Sequence, residues 1–243
     1  MGDLGDVYGS TRSSMVELLR NRSDEFERPV PATPEWRVRD VVSHLVGDVE
    51  CILHGDFPRE FFTSFGEPDA IVTLNEWTQG HLDSRMGKSL DEIVDEWDEL
   101  TPTLISMMRG ETEWPEGVTS FADRVIVTDL GVHQQDIFGA FGIERDREGP
   151  AVKIGCAGYI ATLDMRLQAD EVGAIAIEAP GKRWVAGGDD PDVTLRTDRF
   201  ELFRALSGRR SLDQVRSYDW DGDPEPFLSY FYPYGVRQKS LVE

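Results

Sequence analysis

Histidine and cysteine are scarce in this chain, and its bases are outnumbered. The 243 residues include four histidines and two cysteines, with 25 Lys and Arg against 46 Asp and Glu, a formal net charge of −21. Cys51 and Cys156 lie far apart and outside any CxxC pattern. They give no disulfide framework, which fits a reducing compartment. The acidic balance repels polyanions and anionic membrane surfaces, so it weighs against nucleic acid or a membrane as partner. No apolar run reaches the roughly 18 residues of a spanning helix. The first ten residues, MGDLGDVYGS, lack the apolar stretch of a secretory signal. The expected location is cytoplasmic. The HExxH, phosphate-loop, GxGxxG and GxSxG patterns are also missing, which removes common metalloprotease, nucleotide-binding and serine-hydrolase readings.

What remains is an ordinary globular composition, 40% apolar and 29% charged, long enough for one large domain or two modest ones. After a frayed start over 1–10, the spacing of Met15, Leu18 and Leu19 predicts a helix over about 11–28. Thr33 and Pro34 form a cap and first-turn pair for a second helix, whose buried stripe is Val38, Val41, Val42, Leu45, Val49 and Ile52. Residues 56–69 read as a loop. Two helical pieces over 71–86 and 89–109 follow, broken at Gly87. Ser89 and Glu92 form a capping box, and Pro102 should kink the second piece or mark its seam. A fourth helical run covers about 119–141. The texture changes after Gly149-Pro150. A helix over 151–169 precedes short strands over 172–179, 183–186 and 193–196, then helices over 198–208 and 224–232. The expectation is a helical bundle, 1–148, followed by a small α+β domain, 149–243.

The rare histidines carry the chemistry. In Asp129-Leu-Gly-Val-His133 an acid precedes a histidine by four positions, which stacks both on one helix face, with Asp136 on the same face. His44 sits mid-helix on a stripe with Val41, Asp48 and Cys51. If the two helices are neighbours, both stripes can face a bundle interior, where metal sites are commonly built. Two imidazoles and one carboxylate from His44, Asp129 and His133 would hold a divalent metal and leave a coordination position free. The bland alternatives are a surface acid–histidine pair and a satisfied core histidine. Asp136 is either an acceptor that orients His133 or a solvated residue, and Asp48 is a possible fourth ligand. Cys51 lies about 10 Å along the axis from His44, too far to share a cation, and reads as a small buried residue. His54 and His81 read as exposed.

The run Thr33-Pro34-Glu35-Trp36-Arg37-Val38-Arg39-Asp40-Val41-Val42-Ser43-His44-Leu45-Val46-Gly47 resembles the signature of the mycothiol-dependent maleylpyruvate isomerase family, within the DinB-like metalloenzyme superfamily. Asp129-Leu-Gly-Val-His133-Gln-Gln-Asp136 resembles that family's second metal segment, and Ser207-Gly208-Arg209 its C-terminal Gly-Arg element. The likeness implies a DinB-like four-helix bundle followed by a sterol-carrier-like α+β domain. It implies metal ligands at His44, Asp129 and His133, usually for zinc, and an activity-bearing arginine at Arg209, beside Arg210. Where the family usually has Glu, this chain has Asp129, one methylene shorter. The implied function is a metal-dependent enzyme that uses mycothiol or a similar small thiol on a small electrophilic substrate, as isomerase or S-transferase. Metal coordination would favour the thiolate, and Arg209 would bind a substrate carboxylate or developing oxyanion. Two readings stay open beside it: a non-catalytic small-molecule or metal-binding module of the same fold, and an acidic interaction protein. Other divalent metals suit the same donors.

Overall fold

A computed structural model describes residues 3–58, 68–118 and 121–243. Its residues fall into two compact units, Met1–Arg145 and Asp146–Glu243.

In the first unit the described helices are α1 (Leu4–Arg20), α2 (Val38–Leu53), α3 (Pro68–Asp83), α4 (Leu90–Met108) and α5 (Ala122–Phe141). Helix α2 packs on α4 and α5, and α1 packs on the same two, so these four close a bundle while α3 lies against α2. The α2 stripe read from the sequence is the core face, with Val38, Val41, Val42, Leu45, Val49 and Ile52 all at most 2% exposed. Each such side chain contributes roughly 1.5–3 kcal/mol of burial. The Ser89–Glu92 capping box opens α4, and Pro102 lies inside that helix.

Two helix starts differ from expectation. Helix α1 begins seven residues early because the Asp3 side chain accepts the Asp6 N–H at 3.0 Å and because Val7 and Tyr8 extend its buried stripe. It stops at Arg20, since the charge-dense stretch beyond offers little to bury and holds only a short 3-10 turn, Ser23–Glu25. Helix α2 begins later than Thr33-Pro34. Those residues sit in a fold-back in which Val30 N–H bonds to Trp36 O and Trp36 N–H to Thr33 O, while the Thr33 hydroxyl has no partner. The helix is instead opened by Asp40, whose carboxylate accepts the Arg37 N–H at 2.8 Å. Trp36 is thereby left outside the helix. Most of the loop expected over 56–69, and the first two residues of the run expected over 119–141, lie outside the described residues.

The second unit starts with α6 (Pro150–Ala169), its proline in the first turn, which packs on α7 (Arg199–Leu206) and on a sheet strand. Strands β1 (Ile175–Ala179), β2 (Lys182–Ala186), β3 (Val193–Arg196) and β4 (Asp219–Asp221) lie in the order β2-β1-β3-β4. The β1–β2 and β3–β4 pairs are antiparallel and β1–β3 is parallel. Central β1 buries Ile175, Ala176 and Ile177 in succession. Pro180-Gly181 turns β1 into β2, with Gly181 at φ +73°. Helix α8 (Leu212–Arg216) and β4 were not anticipated, being too short to show a period; α9 (Glu225–Leu228) was. The result is a helical N-terminal region followed by a small four-stranded sheet with helices. Among the described residues no helix is long and apolar enough to cross a membrane.

Candidate metal centre

Helices α2 and α5 bring His44, Asp129 and His133 together. His44 Nε2 lies 3.3 Å from Asp129 Oδ2, and His133 Nε2 lies 3.6 Å from Asp129 Oδ1. The two imidazoles meet edge to face with centres 5.0 Å apart, and both are buried. One ligand atom from each of the three residues falls within a 4.8 Å group. Asp129 Oδ2 is buried and meets no group in good hydrogen-bond geometry, with His44 Nε2 at 3.3 Å and the Asp48 carboxyl beside it, which is costly for a carboxylate oxygen unless something better satisfies it. Nitrogen and oxygen donors about 2.0–2.2 Å from one tetrahedral cation lie about 3.3–3.6 Å apart. The residues present therefore fit a divalent cation, and the shorter Asp129 side chain still reaches both imidazoles.

A surrounding layer holds the imidazoles in place. Asp136, fully buried, lies 2.9 Å from His133 Nδ1. A carboxylate can only accept, so Nδ1 carries a proton and Nε2 is the nitrogen left to face Asp129. The Trp36 indole covers the pair, its centre 5.3 Å from the His44 ring and 5.8 Å from the His133 ring. His81, expected to be exposed, is 3% exposed, and its Nδ1 lies 3.2 Å from His44 Nδ1. Sequence spacing gave no sign of it; the weak signal was histidine scarcity itself. Cys51 is only half-buried, with Sγ 3.4 Å from His81 Nε2. His54 is exposed, as expected.

Burial, and then the nearby Asp129 carboxylate, push Asp48 well above the usual carboxylate range. Asp129 moves the other way. Burial opposes its charge, yet the His133 and His44 imidazoles outweigh burial and hold its carboxyl well below the usual range. Burial, then His44, pushes His81 down to about 3, so it is neutral. Asp129 is the charged member of the carboxylate pair, as a ligand must be.

A profile of the mycothiol maleylpyruvate isomerase N-terminal domain matches residues 12–138, more than half of the chain. The chain belongs to this family. No curated protein matches it. A crystal structure of a histidine-to-alanine mutant of the mycothiol-dependent maleylpyruvate isomerase matches with a TM-score of 0.55 and 12% identity, over 90% of each chain. At that identity the likeness is one of fold, and it extends over both units of this family member.

In this isomerase-family chain the second unit separates two adjacent arginines. Arg210, 3% exposed, is held by Glu201 through two bonds of 2.6 and 2.7 Å and by Glu243 at 2.9 Å. Arg209 is half-buried, and its Nη1 donates to the Ser207 carbonyl at 2.7 Å. In the first unit a cleft of about 400 Å³ is lined by Trp36, Arg39, Asp40, Ser43, Gln79 and Leu82, among others. Trp36 thus forms a wall of this cleft as well as a cover for the two imidazoles.

Proposed function

We propose that the protein is a metal-dependent thiol enzyme acting on a small electrophile. His44, Asp129 and His133 hold a divalent cation, with zinc favoured by the donor set, and mycothiol or a related small thiol is the co-substrate. The observation that carries the reading is Asp129: its carboxylate lies between two buried imidazoles, 3.3 and 3.6 Å from their Nε2 atoms. When bound, the cation supplies an open position that favours a thiol sulfur as thiolate at neutral pH. The chain's own residues do the rest. Asp136 keeps the His133 lone pair directed inward, and Trp36 limits water at the two imidazoles. The cleft beside Trp36 is large enough for the body of a small thiol. Arg209 binds a substrate carboxylate, the role that the likeness to the family implies for it.

The test is metal analysis of the purified protein followed by thiol and electrophile assays. Near one zinc per chain is expected, lost in His44→Ala and His133→Ala; full metal in both variants sinks the assignment. Thiol addition should release a proton. Consumption of an electrophile afterwards marks an enzyme, and thiol recovery at the end separates isomerase from S-transferase. Thiol binding without consumption marks a binding module.

A further inference from the structure

Three of the four histidines gather at the centre, although the metal reading uses two. His81 is held there from several sides. Gly47 of α2 faces it so closely that a Cβ would stand 2.2 Å from His81 Cγ. Arg85, 1% exposed, donates to the His81 carbonyl at 3.2 Å and pairs with Glu50 of α2 at 2.8 Å and with Glu96 of α4. The Trp77 ring meets the imidazole edge-on at 4.2 Å.

The direction of the His44–His81 contact is informative. The rings lie within 17° of parallel with centres 5.4 Å apart, while the two Nδ1 atoms are 3.2 Å apart. The remaining separation is about two ring radii, so the nitrogens lie on the line between the ring centres and face each other head-on. That is the geometry of an N–H···N bond. Lone pairs converging on a tetrahedral cation would meet at an angle instead. His44, Asp48 and His81 are close enough to be a second cage, but the ring directions make His44 and His81 a hydrogen-bonded pair.

Such a bond needs one proton, on one of the two rings. A His44 that ligates through Nε2 carries its proton on Nδ1. We propose that His81 is a positioning residue for the metal centre: its Nδ1 accepts the His44 Nδ1–H and so holds the His44 Nε2 lone pair toward Asp129 and His133. The inference rests on the metal reading above. The His81 proton then sits on Nε2, directed at Cys51 Sγ 3.4 Å away. Each ligand imidazole thus has a buried acceptor on its far nitrogen, Asp136 for His133 and His81 for His44.

The test uses the full chain loaded with zinc. Long-range proton–nitrogen NMR should place the His44 proton on Nδ1 and the His81 proton on Nε2; a His81 proton on Nδ1 overturns the proposal. Chelator competition should show zinc affinity falling roughly 10–100-fold in His81→Ala. Gly47→Ala, which displaces the ring, should fall in the same direction. His81→Asn puts an amide oxygen near the former Nδ1 and should recover most of the loss. Unchanged affinity in His81→Ala, or equal losses in the Ala and Asn variants, overturns the proposal. Should His81→Ala fail to fold, the wild-type tautomers and the Asn variant still decide. Wild-type protein that takes up no zinc defeats the metal reading itself, an outcome distinct from wild type and His81→Ala binding equally well.

Discussion

His133 Nδ1 and Asp136 Oδ2 are 2.9 Å apart on one helix, and the carboxylate is fully shielded from solvent. Asp136 would orient His133 as a ligand, in the proposed metal reading, without itself touching a cation. Asp136→Ala should lower zinc affinity roughly 10–100-fold, read by competition with a chromophoric chelator. It should also destabilise the metal-free protein by roughly 1–3 kcal/mol, because a buried N–H loses its acceptor. Asp136→Asn, which keeps an acceptor but no charge, should fall between wild type and Ala on both scales. Wild-type affinity in the Ala variant would reject the orienting role.

Trp36 supplies an optical reporter. Its ring centre stands 5.3 Å from His44 and 5.8 Å from His133, closer than any distance at which a paramagnetic ion fails to quench an indole. Cobalt(II) added to metal-free protein should quench part of the fluorescence of the six tryptophans. Trp36→Phe should remove a large share of that quenching while keeping the ring that covers the site. Trp77, against His81, is another indole near the centre and contributes to a residual signal. Quenching of the same fractional size in Trp36→Phe would place the ion elsewhere.

The parts of this centre that could be read in the sequence share one property: they lie on a regular helix with their partners at one-turn spacing. Asp129, His133 and Asp136 are such a set, and the apolar stripe of α2 showed which side His44 faces. The outlines of α4, α6 and the first three strands were legible for the same reason. His81 was not, because its partners belong to another helix, and only the close approach at Gly47 makes room for its ring. Trp36 was hidden by the Thr33-Pro34 signal, which marks a turn here because the chain folds back before Asp40 caps the helix. The choice between Asp136 as orienter and as solvated residue needed the third dimension, since helical spacing places a residue on a face without saying what covers that face.

The neighbouring arginines of the second unit should separate cleanly. Arg210 is buried between Glu201 and Glu243, so Arg210→Ala should destabilise the protein by roughly 1–3 kcal/mol, taking the guanidinium from Glu201 and one of two from Glu243, which keeps Arg204. Arg209→Ala should lower the melting temperature less than Arg210→Ala does. In the thiol-dependent assay it should raise the KM for a carboxylate-bearing electrophile, and Arg209→Lys should restore only part, because an ammonium cannot make the bidentate contact. The reverse pattern, with Arg209 controlling stability and Arg210 controlling KM, would exchange the two roles.

Glu201 gives a pH signature in the second unit. Burial would raise its pKa, but the Arg210 guanidinium outweighs burial and holds the carboxyl below the usual glutamate range. A depressed folded value means that the ionised form stabilises the fold. That contribution is complete above the unfolded value of about 4.3 and is lost as pH falls through the folded one. Glu201→Gln should therefore lower the melting temperature at pH 7, by roughly 1–3 kcal/mol in stability. The difference from wild type should shrink as the pH drops below about 4, because a protonated glutamic acid and a glutamine offer Arg210 nearly the same neutral partner. Melting curves of both proteins across that range decide it. A gap that stays constant into strong acid would mean that Glu201 contributes shape rather than charge, and that Glu243 alone neutralises Arg210.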